Sequence, residues 1–233
     1  MKSAYYEEQW QTLKEAPKPQ LIESLSKRIA SNFIDRYYYS DEYNREHIHL
    51  LCEMATYFDD EELNQITAKA LFGSIIERLC DDFEELQTET YNRLICQVVN
   101  FLCKLPEGVK IESELYDFQL RTEEQLYQRI ESTRLTPDQK LPSIIRPKKV
   151  IILSRVTIGA DVAITSVICQ RIAQSYPDAQ IIVIGNDKLK QVFAEGCDIY
   201  VHELAYSRRG GLLEKFQVWL ELLTQVRALI KYL

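Results

Sequence analysis

The chain has 233 residues, 46% of them hydrophobic and 27% charged, with a net charge of −7. This is the composition of a globular protein large enough for one or two cored domains. Residues 1–146 hold 17 Lys+Arg against 27 Asp+Glu, and residues 147–233 hold 11 against 8, so the charge runs from −10 to +3 along the chain. An acidic front half argues against phosphate-backbone binding there, because that needs clustered Lys and Arg. No run reaches the roughly 18 apolar residues of a membrane span, and MKSAYYEEQW has no apolar signal core. The six cysteines form no CxxC pair, so reduced thiols and a cytoplasmic location are expected. Cys52, Cys80, Cys96 and Cys169 fall among apolar neighbours and are expected in the core.

Residues 1–19 read as a polar lead-in closed by Pro17 and Pro19. Leu21, Ile22, Leu25, Ile29, Phe33 and Ile34 then repeat at helical spacing, and Tyr37-Tyr38-Tyr39 ends that helix. Asp41 is the expected N-cap of a helix carrying Ile48, Leu51, Cys52, Ala55 and Phe58. Asp59 or Asp60 caps the next, with Leu63, Ile66, Ala70, Leu71, Ile75, Ile76 and Leu79 inward. Asp81 to Glu85 reads as a solvated break. Further helices are expected over Phe83–Leu105, stopped by Pro106 and Gly108, and over Glu112–Ser132. Consecutive helices with short breaks predict an antiparallel bundle over 1–135. His47 and His49 are two apart, on different helix faces, which makes a poor metal pair. The tyrosines of this half read as amphipathic packing.

A linker with Pro137 and Pro142 spans 136–147, and from 148 the pattern changes to strand and helix. Val150–Leu153 is a short β-branched run, and Asp161 opens a helix with Val162, Ile164, Val167, Ile168, Ile172 and Ala173 as its apolar set. Pro177 and Asp178 stop that helix and Ile181–Ile184 forms a second strand, completing a βαβ unit. A short helix over Lys188–Ala194, a third strand over Ile199–Leu204, a basic loop with Arg208 and Arg209, and a long helix from Leu212 to about Tyr232 follow. The fold class is therefore α + α/β. A three-stranded parallel sheet ending on a helix is short for a doubly wound domain, so a longer parent protein is expected.

In parallel sheets, ligands bind at the carboxyl ends of the strands, which places chemistry in the Ser154–Asp161 turn. Neither GxGxxG nor GxxxxGK[ST] is present. Asp161 has two compatible roles there, as a helix cap or as a general base facing an open cleft.

The stretch Arg155-Val156-Thr157-Ile158-Gly159-Ala160-Asp161, then Thr165 and Tyr176-Pro177-Asp178-Ala179, resembles the heptosyltransferase-like glycosyltransferases of family 9 over residues 148–233. Ala160 stands where that family has a glycine, and Ser166-Val167 lacks its usual proline. The resemblance implies the N-terminal, acceptor-side Rossmann-like domain of a GT-B enzyme. Asp161 would be the catalytic base, with Thr157, Gly159 and Thr165 beside it. Arg155, Arg208 and Arg209 would meet anionic groups on a glycan or glycolipid acceptor. No metal or resident cofactor is implied, only a nucleotide-sugar co-substrate bound by a second domain outside these residues. Transfer by this stretch alone is not expected, nor nucleic-acid binding, nor more than peripheral membrane contact. The alternative is a non-catalytic scaffold, a helical interaction module joined to a degenerate Rossmann-like domain.

Overall fold

A computed structural model describes residues 2–80, 84–134, 146–154, 158–193, 198–204 and 210–231. The chain forms two compact units, residues 1–137 with 209–217 and residues 138–208 with 218–233. The second boundary departs from the sequence reading, which kept all of 148–233 together. None of the helices among the described residues is long and apolar enough to cross a membrane.

The first unit is helical. What reads as a polar lead-in is a helix, α1 (Lys2–Glu15), whose Tyr6, Trp10 and Leu13 are buried one turn apart. Two aromatic rings bury enough area to dock a helix that is otherwise polar. Pro19 sits in the first turn of α2 (Pro19–Ser40), where a missing N–H costs nothing. Ile22, Leu25, Ile29, Phe33 and Ile34 are buried along it, as their spacing predicts. The tyrosine run stays helical; the stop comes at Asp41, left-handed at φ 51°, whose N–H reaches the Tyr37 carbonyl at 3.0 Å. Asp41 is thus a C-cap and not the predicted N-cap. Asn44 caps α3 (Arg45–Met54) instead, its Oδ1 accepting the His47 N–H at 3.1 Å.

Asp60 caps α4 (Glu61–Lys69) through the Glu62 N–H, and the helix runs on through a π-helical stretch, Ala70–Ile76, into α5 (Glu77–Cys80). Next, α6 (Glu85–Leu102) ends in a 3-10 turn at Pro106–Gly108. A Cβ on Gly108 would lie within 1.9 Å of the Leu102 carbonyl oxygen, so only glycine lets the chain turn there. The single helix predicted for Glu112–Ser132 is two, α7 (Val109–Asp117) and α8 (Glu123–Arg134). Gln119 is left-handed at φ 61°, and Thr122 and Gln125 form a capping box around the start of α8. Cys52, Cys96 and Cys103 are buried free thiols, but Cys80 is exposed, contrary to its apolar neighbourhood. Burial pushes the Cys52 and Cys96 thiols up to about 12 and Cys103 to about 11. His47 is buried and His49 exposed, on different faces as expected.

The second unit contains a small parallel sheet, β1 (Lys149–Leu153), β2 (Gln180–Gly185) and β3 (Ile199–Glu203), in the order β1-β2-β3. Together the two units make an α + α/β class. Val150 pairs with Ile181 and Val183 with Val201, so the register carries the apolar runs side by side. The helix between β1 and β2 starts at Ile158, three residues before Asp161. It comprises α9 (Ile158–Ala160), a π-helical turn (Asp161–Thr165) and α10 (Ser166–Ser175). Its inward face is Asp161, Thr165, Cys169 and, partly buried, Ile172. Val162, Ile164, Val167, Ile168 and Ala173, read from the sequence as the apolar face, are exposed.

Cys169 packs with Ile181 and Val183 on one face of the sheet, joined by Leu189 of the short α11 (Leu189–Val192) and by Phe193. The other face carries Ile182, Ile184 and Leu204 under Val218, Leu222, Val226 and Leu229 of α12 (Leu212–Lys231). Helices therefore cover both faces, and β2, buried at four successive positions, is the centre of the unit. Among the described residues no strand pairs with the outer edge of β1.

Candidate functional site

The carboxyl end of β1 is the edge beside which Asp161 lies. The Ser154 N–H extends the ladder past the strand, bonding to the Ile184 carbonyl at 2.9 Å, and the Leu204 N–H does the same to Gly185 at 2.8 Å. Three strands thus end at one level, with Ser154, Gly185 and Leu204 along it. A Cβ on Gly185 would come 2.7 Å from the Ser154 Cβ, 2.9 Å from its Oγ and 2.5 Å from the Leu189 Cδ1. Glycine is what allows the serine and Leu189 to sit that close.

Asp161 lies next to this edge and is 2% exposed. Its Oδ2 accepts the Ser154 hydroxyl at 2.8 Å, and its Oδ1 accepts the Thr165 hydroxyl, also at 2.8 Å. Thr165 is itself 2% exposed, whereas Ser154 is half-buried. Hydrogen bonds to a carboxylate are shorter and stronger than those between neutral groups, so two of them offset much of the cost of burying the charge. The π-helical turn begins at Asp161, and such turns recur at functional sites because they re-aim a side chain. One and two turns further along the helix are Thr165 and Cys169. Burial raises the Cys169 thiol, and the Asp161 charge adds to that effect.

This geometry departs from the expected open base. Asp161 faces no solvent, and it stands inside the helix and not at its cap. Thr165 does lie beside it. Gly159 is exposed, and a Cβ there would meet nothing within 4 Å, so packing does not demand glycine at that position. Arg155, Thr157, Arg208 and Arg209 lie outside the described residues, as does Cys197. Ser154 and Gly185 are the site residues the sequence reading passed over. The available signal was a hydroxyl directly after an apolar strand, level with a glycine that ends the next strand.

Further along the same edge, Asn186 Oδ1 accepts the Lys188 N–H at 3.0 Å, and Lys190 pairs with Glu203. On the helical unit, a separate hollow of about 460 Å³ is lined by Arg45, His47, His49, Glu53 and Gln97 among others. Among the described residues no group of three or more His, Cys, Asp or Glu could hold a metal ion.

No protein-family model, curated protein or solved structure matches the chain.

Proposed function

We propose that the strand–helix–strand part is the acceptor-side, Rossmann-like half of a GT-B glycosyltransferase, which moves a sugar from a nucleotide-sugar donor to a hydroxyl of a glycan or glycolipid. The observation that carries this reading is Asp161, a buried carboxylate held by two hydroxyls at the carboxyl edge of a parallel sheet. Ligands of parallel α/β sheets bind at that edge, and a carboxylate there is the group needed to take a proton from an alcohol.

The course of α12 supports the same reading. It lies on the sheet face opposite α10, and the Lys149 Nζ donates to the Leu229 carbonyl at 3.1 Å, so the helix reaches β1. Helices on both faces of a parallel sheet are what one half of a doubly wound domain carries. The donor domain belongs to the proposal. The nucleotide sugar is a co-substrate, and no resident cofactor is invoked.

A second reading, the non-catalytic scaffold, is favoured by the burial of Asp161. A carboxylate with both oxygens bonded by its own chain serves well as a structural tie between β1 and the helix. One experiment separates the two. The full-length protein is offered UDP-, GDP- and ADP-linked hexoses with alkyl glycosides as acceptors, and release of nucleoside diphosphate is followed. Turnover that Asp161→Asn abolishes in a variant that stays folded at the assay condition, its urea midpoint lowered by no more than the roughly 1 M that losing a charged hydrogen bond costs, supports the transferase. No consumption by the wild type leaves the scaffold, and equal turnover by the variant refutes the role of Asp161.

A further inference from the structure

A base must touch the proton it removes, directly or through one intermediary. Asp161 is sealed, but the hydroxyl bonded to its Oδ2 belongs to a half-buried residue at the strand edge. We propose that Ser154 carries the acceptor's proton to Asp161, so that the working base is the Ser154–Asp161 pair. This rests on the transferase reading given above.

Three features set the serine for the task. Its backbone is fixed by the ladder bond from its N–H to Ile184. Its side chain occupies space that any Cβ at Gly185 would take, so the hydroxyl is confined on that side. Its hydroxyl donates to Asp161 Oδ2 at 2.8 Å, the direction in which the relay passes the proton. Thr165, donating to Oδ1, is a positioning residue that holds the carboxylate while its other oxygen receives the proton.

The step balances without a further reactant. The acceptor oxygen bonds to the anomeric carbon as its proton passes to Ser154 Oγ, and the proton of Ser154 passes to Asp161 Oδ2. The bond from the anomeric carbon to the diphosphate oxygen breaks, and its electron pair leaves with the nucleoside diphosphate. Ser154 ends as a neutral hydroxyl and Asp161 carries one proton. The reacting group of the substrate is an alcohol, such as a sugar hydroxyl, whose proton is the one the relay takes.

The test uses the full-length protein, with whichever nucleotide hexose and alkyl glycoside of the panel it turns over, under single-turnover conditions in H2O–D2O mixtures. The wild type should give a curved proton inventory, two protons moving in one step; a linear one overturns the relay by itself. Ser154→Ala should lower the rate about 10²- to 10⁴-fold, the usual worth of acid–base catalysis, with the KM for the donor unchanged. Ser154→Thr keeps the hydroxyl and should keep the two-proton inventory, whether or not the alanine variant folds. If Ser154→Ala keeps its rate while Asp161→Asn loses it, the carboxylate acts without the serine and the relay is wrong. If neither variant changes the rate, the site assignment itself fails. If the wild type consumes no donor, relay and transferase fall together.

Discussion

The Thr165–Asp161 contact makes a quantitative prediction. Thr165→Val keeps the shape of the side chain and removes the donor to a carboxylate that is 2% exposed. A hydrogen bond to a charged group contributes about 1.5–3 kcal/mol net, so a loss near 2 kcal/mol is expected. The chain supplies its own control in Thr67, which is fully buried and pairs with the neutral Ser26 hydroxyl at 2.9 Å. Ser26 also donates to the Ile22 carbonyl at 2.7 Å, so Thr67→Val leaves it satisfied and should cost only about 0.5–1 kcal/mol, a neutral bond's worth. The two tryptophans report on separate units, Trp10 buried in the first and Trp219 part-exposed on α12 in the second. Urea unfolding followed by fluorescence, with Trp10→Phe or Trp219→Phe as background, reads each unit alone. At a slope of about 2 kcal/mol/M, Thr165→Val should lower the Trp219 midpoint by about 1 M, and Thr67→Val the Trp10 midpoint by less than half that. Equal shifts, or a smaller one for Thr165→Val, would refute the claim that Thr165 bonds a buried charge.

Three other outcomes are expected. Gly185→Ala forces a Cβ into Leu189 and the Ser154 hydroxyl, so it should cost about 1–3 kcal/mol of overpacking, read from the same Trp219 transition. Burial pushes the Glu53 carboxyl up, but the Lys14 ammonium and the Trp10 indole N–H outweigh that and hold it below its ordinary 4.5. A lowered carboxyl stabilises the fold above its unfolded value and loses that contribution as pH falls through the folded one. Glu53→Gln should therefore be less stable than wild type near pH 7, with the gap closing below about pH 4 in acid titrations read at Trp10. Of the five described cysteines, the exposed Cys80 should react first with a maleimide, the buried thiols only on unfolding, as peptide mapping of the labelled protein would check.

The strands were legible because short β-branched runs between turn residues have few other homes, and each falls within a residue or two of its expected span. Helix stops at Pro106 and Pro177 were legible for a similar reason, since proline leaves little choice. The T-x-x-Q signature at Thr122 was equally readable and would have divided the helix predicted over Glu112–Ser132. The site was harder. Asp161, Thr165, Cys169 and Ile172 are spaced at four, four and three, as helical as the apolar set beside them, but two are polar and a search for hydrophobic periodicity ranks the other face first. Tying a carboxylate to the strand end turned Val162, Ile164, Val167 and Ile168 to solvent. Nothing in the spacing announces that exchange, because the partner that decides it, Ser154, lies on the strand before.

The outer edge of β1, where no strand pairs among the described residues, has a practical consequence. Its five residues, Lys-Val-Ile-Ile-Leu, hold one charge, at the start, and finish on an exposed Leu153. Backbone donors and acceptors along such a margin recruit any extended apolar peptide within reach, including a neighbour's copy of the same five residues. Wherever the chain is produced with this margin uncovered, a lysine in place of the exposed Leu153 should do more for its solubility than any change on the helices.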